Sequence, residues 1–175
     1  THTNLPTQRL TRWRSGHVLF NSGPAVAGRA TGVGFLVSSK VTSLPGFDPI
    51  FCPISERTAS LRFKLGETVV MLIVHYAPHS GHTALARAAA HDELWDVLEA
   101  CKPGDLRVLL GDFNASIGSR NTCLLDGVCG PHANPRVSST GLTLRATIAA
   151  ADMFSATSYT RNRYGNVVSP RLLQL

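Results

Sequence analysis

The sequence carries a carboxylate and a carboxamide two positions apart, Asp112 and Asn114, in "LLGDFNASIG". Residues i and i+2 of an extended chain project to the same side, so Asp112 could take a proton from a water while Asn114 holds a phosphate oxygen or a metal-bound group. Tyr76 closes a second apolar run in "HYAP". A phenol at such a rim could donate to a developing phosphorane oxygen. Each feature also has a plainer use: Asp and Asn cap loops by bonding to their own backbone, and Tyr suits the edge of a core. Spacing alone leaves both uses open.

Those residues need strands that end where they stand. "LRVLLGDFN" and "ETVVMLIVHYAP" are continuous β-branched and apolar runs, the pattern of strands buried on both faces, the second stopped by Pro78. Ahead of them, "HVLFNSG" and "TGVGFLVSS" predict a hairpin joined by a Gly/Pro-rich segment. "TSLPGFDPIFCPIS" holds three prolines and is expected to be a loop that cannot be a central strand, whereas "SLRFKL" alternates as a half-buried strand. From Thr83 to Cys101 the spacing becomes helical, with Leu85, Ala88, Trp95 and Leu98 on one stripe, ended by "KPGD". A Gly/Pro-rich stretch from Ala115 to Ser138 precedes a second helix, Ser139 to about Asp152, with Leu144, Ile148 and Ala151 inward, and short strand-like pieces finish the chain. Buried strands alternating with helices indicate an α/β class, its sheet covered on at least one face.

At 175 residues and 43% hydrophobic content the chain can bury a core of single-domain size. No apolar run approaches the roughly 20 residues that a membrane-spanning helix needs, and no secretory signal is seen, so the chain reads as soluble. It begins with Thr rather than Met, as a processed protein or a piece of a longer one would. Cys52, Cys101, Cys123 and Cys129 lack the paired spacing of a zinc site and read as reduced thiols.

Charge is more informative than its total of +6, because no acidic residue precedes Asp48 and none follows Asp152. Arg9, Arg12, Arg14, Arg29 and Lys40 make the first 47 residues +5; Arg161, Arg163 and Arg171 make the tail +3; the middle is −2. Basic ends on a near-neutral body suit contact with a polyanion, most often nucleic acid, although a solvated surface would look the same. Arg9, Arg12, Arg14, Arg161 and Arg163 are therefore candidate contacts to nucleic acid or to a partner. His79, beside the candidate rim, joins them. The polar lead before Gly16 reads as an arm, residues 1–15, followed by a domain over 16–171 and a tail over 172–175.

The ordered set "ATGVGFLVSSK", "SERTASLRFKL", "VVMLIVHYAPHS", "LLGDFNASIGSR", "GPHANPRVSSTGLTL" and the late "SPR" resembles the endonuclease/exonuclease/phosphatase superfamily. It is most similar to the apurinic-like endonuclease domain of non-LTR retrotransposons and to related craniofacial-development-protein-2-like sequences, over roughly residues 16 to 171. That resemblance implies a four-layer α/β sandwich, two packed sheets flanked by helices, that nicks DNA with a divalent ion, usually Mg²⁺. It implies Asp112 as the general base, Asn114 as the phosphate positioner and Tyr76 as the transition-state donor.

The departures from the family lie at both ends. Its metal-binding Glu belongs to strands that should precede the region of Gly16, and its Ser-Asp-His should follow "SPR"; an aromatic commonly stands before "SPR", where this chain has Val167 and Val168. The sandwich is thus expected to be incomplete. No residue is assigned as a metal ligand: Glu56, in "ISER", reads as an ion pair with Arg57 or a surface acid, and His132 as a residue that shapes its loop. Mg²⁺ takes hard oxygen ligands in octahedral geometry, so a missing carboxylate matters. Two expectations follow. The chain is a remnant or fragment of a Mg²⁺-dependent DNA-nicking endonuclease, catalytically poor as it stands; or it is a domesticated basic structural subunit of a large assembly, contacting RNA and covered at its truncated edges by protein partners. Mitochondrion, nucleus and cytoplasm all stay open.

Overall fold

The computed structural model describes residues 9–23, 32–120 and 127–159. Among the described residues, seven strands and three helices run in the order β1 (Arg9–Arg12), β2 (Val18–Asn21), β3 (Gly34–Val37), α1 (Ser39–Thr42), β4 (Ile50–Pro53), β5 (Thr58–Leu65), β6 (Thr68–Tyr76), α2 (Ala84–Glu99), β7 (Leu106–Asp112) and α3 (Ser139–Ala150), and a 3₁₀ turn follows at Ala156–Ser158. They make a mixed α/β fold with two sheets, ordered β1-β2-β3 and β4-β5-β6-β7. No helix among the described residues is long and apolar enough to cross a membrane. The chain divides into two compact units, one of residues 1–76 and 101–108, the other of 77–100 and 109–175.

In the first unit, β2 and β3 pair antiparallel, so the predicted hairpin is present. The stretch read as a lead is partly a strand: Arg9–Arg12 forms β1 and pairs with β2. Four residues with two arginines show no apolar alternation, and only the hydrogen bonds offered by β2 hold them extended. Part of the stretch read as a loop is also a strand, β4, whose Pro53 is tolerated because β4 lies at the sheet's edge, where a missing N–H costs no ladder bond. Phe20 and Phe35 reach Phe51 of the other sheet with ring centroids 5.4 and 6.4 Å apart, within the range of favourable aromatic pairs. All three rings are buried, at roughly 1.5–3 kcal/mol each. This cluster joins the two sheets. β6 is less buried than its sequence suggests, with Val70, Ile73 and His75 enclosed and the residues between them half-covered or exposed.

An ion pair fixes the return from α2 into β7. Arg62 on β5 donates from Nε to Oδ2 of Asp105 at 2.8 Å and from Nη2 to Oδ1 at 3.1 Å. The fork-to-fork geometry holds the chain immediately before β7. Burial pushes the nearby Cys101 thiol above its ordinary value. Cys52, Cys101 and Cys129 form no disulfide, and Cys123 lies outside the described residues.

In the second unit, α2 buries Leu94, Val97 and Leu98. Of the expected stripe, Leu98 is buried and Trp95 half-buried, but Leu85 is 81% exposed and Ala88 is exposed, because a helix beginning "ALARAAA" has no strong apolar face in its first turns. α3 buries Leu144 and Ile148, with Ala151 just beyond it, as read from the sequence. The two helices are linked by a 2.5 Å hydrogen bond between His91 Nε2 and Thr147 Oγ1.

The hydrogen bonds from Arg62 hold the Asp105 carboxyl below its ordinary 3.8. A carboxylate depressed in the folded state adds stability above its unfolded value, and that stability is lost as pH falls through the folded value. Thermal stability should thus fall below about pH 4. Asp105→Asn should lower the Tm by a few degrees at pH 7 and flatten the acid limb; an unchanged acid limb would remove this pair from the stability of the fold.

Candidate functional site

The rim of the candidate site is built by turns rather than by strand alternation. β7 buries Val108 and Leu109 and ends at Asp112, preceded by Gly111 with φ +145°, a conformation open mainly to glycine. Asp112 then accepts from the Asn114 N–H on Oδ1 at 3.1 Å, closing an Asx turn. Asn114 has φ +45°, a left-handed conformation that asparagine tolerates better than most residues. Its Nδ2 donates to the Ala77 carbonyl at 2.8 Å, and the Ala77 N–H donates to the Asp112 carbonyl at 2.9 Å. Asp112 and Asn114 are exposed while Phe113 between them is buried. The polar pair therefore shares the solvent side, although the chain is not extended there. The plainer use of these residues, capping the loop, is also present in the same geometry.

The loop after Asn114 is held from below by α3. The Ser138 side chain accepts from Gly141 N at 3.0 Å as the helix cap and from Ser116 N at 3.1 Å, and the Ser138 N–H donates to the Ser116 carbonyl at 2.9 Å. A Cβ at Gly141 would collide with that Ser116 carbonyl, so the helix can approach only through glycine. Arg145, counted in the sequence merely as a basic residue, is buried and donates from Nη1 to the Ile117 carbonyl at 2.9 Å. Neither Ser138 nor Arg145 stands out in the sequence, because their partners are backbone carbonyls and amides some 20 to 30 residues away.

Tyr76 belongs to the first unit. It is 42% exposed at the end of β6, its N–H donates to the Arg57 carbonyl at 2.8 Å, and the Arg57 guanidinium lies 5.4 Å from the centre of its ring. Of the two expectations for Glu56, an ion pair with Arg57 or a surface acid, the second is observed. Glu56 is exposed and forms no ion pair with Arg57 among the described residues.

His79 follows Ala77 and Pro78 and is exposed. Its Nδ1 accepts from Gly81 N at 3.0 Å, which leaves Nε2 as the outward donor, and its ring lies 4.5 Å from that of His82. Arg87 of α2 donates to the carbonyls of Ser80 and His82, pinning the loop. The His132 N–H donates to the Ser158 carbonyl at 2.9 Å, a contact that suits its expected role in loop shape. Arg12 and Arg14 are exposed and Arg9 lies on β1; Arg161, Arg163 and the late "SPR" fall outside the described residues.

The donor set does not fit a Mg²⁺ site by itself. Among the described residues no three His, Cys, Asp or Glu side chains gather closely enough to hold a metal. In the segments 77–82 and 112–114 Asp112 is the one carboxylate, and one of its oxygens is taken by Asn114. An octahedral oxygen shell is not assembled from these groups.

Two sheets with helices and a polar rim at a strand end define an α/β fold of the endonuclease-like sandwich kind. The endonuclease domain of TRAS1, a telomere-specific non-LTR retrotransposon, is similar in structure, with a TM-score of 0.51 and 15% sequence identity over 81% of this chain. The match spans 57% of that endonuclease domain. No protein-family model and no curated protein matches the sequence.

The left-handed turn gives a test of what Asn114 does. Asn114→Ala loses the bond to Ala77 and strains the backbone, together about 2 kcal/mol, or roughly 4–8 °C in Tm for a chain of this size. Asn114→Gly loses only the bond and should cost about half as much. Equal losses in the two variants would show that backbone conformation is not what calls for asparagine here.

Proposed function

We propose that this chain carries the phosphodiester-facing rim of an endonuclease-type domain acting on DNA. Asp112 is its water-activating base and Asn114 its phosphate positioner. The observation that supports this reading most is the exposed Asp112–Asn114 pair, locked to Ala77 by hydrogen bonds in a fold like that of an endonuclease domain. Asn114 N–H occupies Oδ1 of Asp112, so Oδ2 is the oxygen that would take a proton from the attacking water. The amide nitrogen of Asn114 has a second N–H, which would bond a phosphate oxygen. Tyr76, next in the chain to Ala77, is the proposed donor to the charge that develops on phosphorus, its ring faced by Arg57.

The metal assigned to such chemistry is Mg²⁺, and the described residues supply a base and a phosphate grip rather than a cage for the ion. Turnover by these groups alone is therefore expected to be low. A second reading has its own support: the Asx turn gives Asp112 and Asn114 a structural role that needs no substrate. In that reading the protein is a basic, non-catalytic subunit of a ribonucleoprotein or other large assembly, bound to nucleic acid and to protein partners.

Plasmid nicking in Mg²⁺ separates the two. If Asp112 is the base, Asp112→Ala should slow nicking by about 10²-fold or more while DNA binding persists. Equal rates for the variant and the unmodified protein would discard the catalytic assignment and leave the non-catalytic reading.

A further inference from the structure

We propose that the turn between β1 and β2 is a binding site for single-stranded nucleic acid, in which an unpaired base stacks on Trp13 while Arg12 and Arg14 hold the flanking phosphates. The inference rests on the nucleic-acid reading above and adds a surface made wholly of first-unit residues. Three observations converge on it.

The aromatic ring is presented by a rigid turn. Trp13 is 45% exposed, its N–H donates to the His17 carbonyl at 3.0 Å, and its own carbonyl accepts from Gly16 N at 3.0 Å. The His17 ring lies 6.3 Å from the indole and is itself bonded through Nδ1 to Ser15 Oγ at 3.0 Å. A lone exposed tryptophan would mean little. One whose backbone is already fixed can stack on a base at little further cost in conformational entropy.

The turn is also clamped from behind. Thr42 Oγ1 of α1 donates to the Gly16 carbonyl at 2.8 Å. Gly16 has φ +81°, and a Cβ there would stand 3.0 Å from that of Ser39. This clamp brings α1, with its exposed Lys40, to the base of the turn.

Charge supplies the third observation. Arg12 and Arg14 flank Trp13 in sequence, both are exposed, and no acidic residue occurs anywhere before Asp48. Exposed cations next to an exposed aromatic ring in the chain match a strand whose phosphates are regularly spaced and whose bases are free to stack. In a duplex the base faces are already covered, so only the arginines would gain. An acidic peptide would use the arginines and give Trp13 nothing planar to meet.

The test uses the whole chain, a fluorescein-labelled short oligothymidylate and a duplex of the same length, with anisotropy and tryptophan fluorescence followed from about 50 to about 300 mM NaCl. The oligothymidylate should bind and quench tryptophan fluorescence. Trp13→Leu should weaken that binding roughly tenfold and Trp13→Phe should keep most of it, while duplex binding stays the same in both. Arg12→Gln with Arg14→Gln should lower the slope of log affinity against log salt by about 0.7 for each phosphate no longer neutralised. With folding verified by circular dichroism, a Trp13→Leu protein that binds oligothymidylate as well as the unmodified one would overturn the proposal. So would Trp13-dependent binding of polyglutamate of equal strength. Failure of Asp112→Ala to affect nicking would count against the catalytic rim alone, because none of these readouts involves Asp112.

Discussion

The hydrogen bond from the Ala77 N–H to the Asp112 carbonyl is the contact on which the candidate rim depends. It holds the chain that leaves β6 against the end of β7, so that the left-handed turn at Asn114 meets a backbone carbonyl it can bond. A strand ending in Gly111, Asp112 and Asn114 would otherwise leave several polar groups without partners as the chain leaves its ladder. The side chains that carry the proposed chemistry are the same ones that satisfy the backbone. The structural use of Asp112 and Asn114 is thus compatible with the proposed catalytic one, because one Asp112 oxygen accepts from the Asn114 N–H while the residue stays exposed.

Support for that rim comes from a distance in sequence. α3 reaches the loop only because Gly141 has no side chain, and Ser138 and Arg145 bond to the backbone of Ser116 and Ile117. The first unit is organised by different forces: an aromatic cluster of Phe20, Phe35 and Phe51 that joins two sheets, and the Arg62–Asp105 pair that steers the chain into β7. Apolar burial contributes the larger share of stability there, while the ion pair mainly specifies where the chain must return.

The likeness to a retrotransposon endonuclease domain bears on the fold, and its 15% identity leaves the chemistry to be argued from side chains. The two proposals divide those side chains between two kinds of nucleic-acid contact. Asp112 and Asn114 suit a single phosphodiester group; the β1–β2 turn, with Trp13 between two arginines, suits a length of unpaired strand. The first needs accurately placed polar atoms and the second mainly charge and an open aromatic face.

By itself the sequence determined the alternating strands, the hairpin of β2 and β3, the exclusion of the proline-bearing stretch from the centre of a sheet, the inward face of α3 and the placing of Tyr76 and Asp112 at strand ends with Asn114 just beyond. All of these follow from local pattern: period-2 or helical spacing, prolines that cannot donate, apolar runs that stop at Gly or Pro. Tertiary structure decided the rest. β1 exists because β2 offers it a ladder, and α2 buries Leu94 and Val97 beside the expected Leu98 while Leu85 faces water. Arg57 chose the ring of Tyr76 over its neighbour Glu56, and Arg145 became part of the core. In each case the deciding partner is distant in sequence, and an alanine-rich helix turn or a short arginine-bearing strand has too little local preference to determine its own fate.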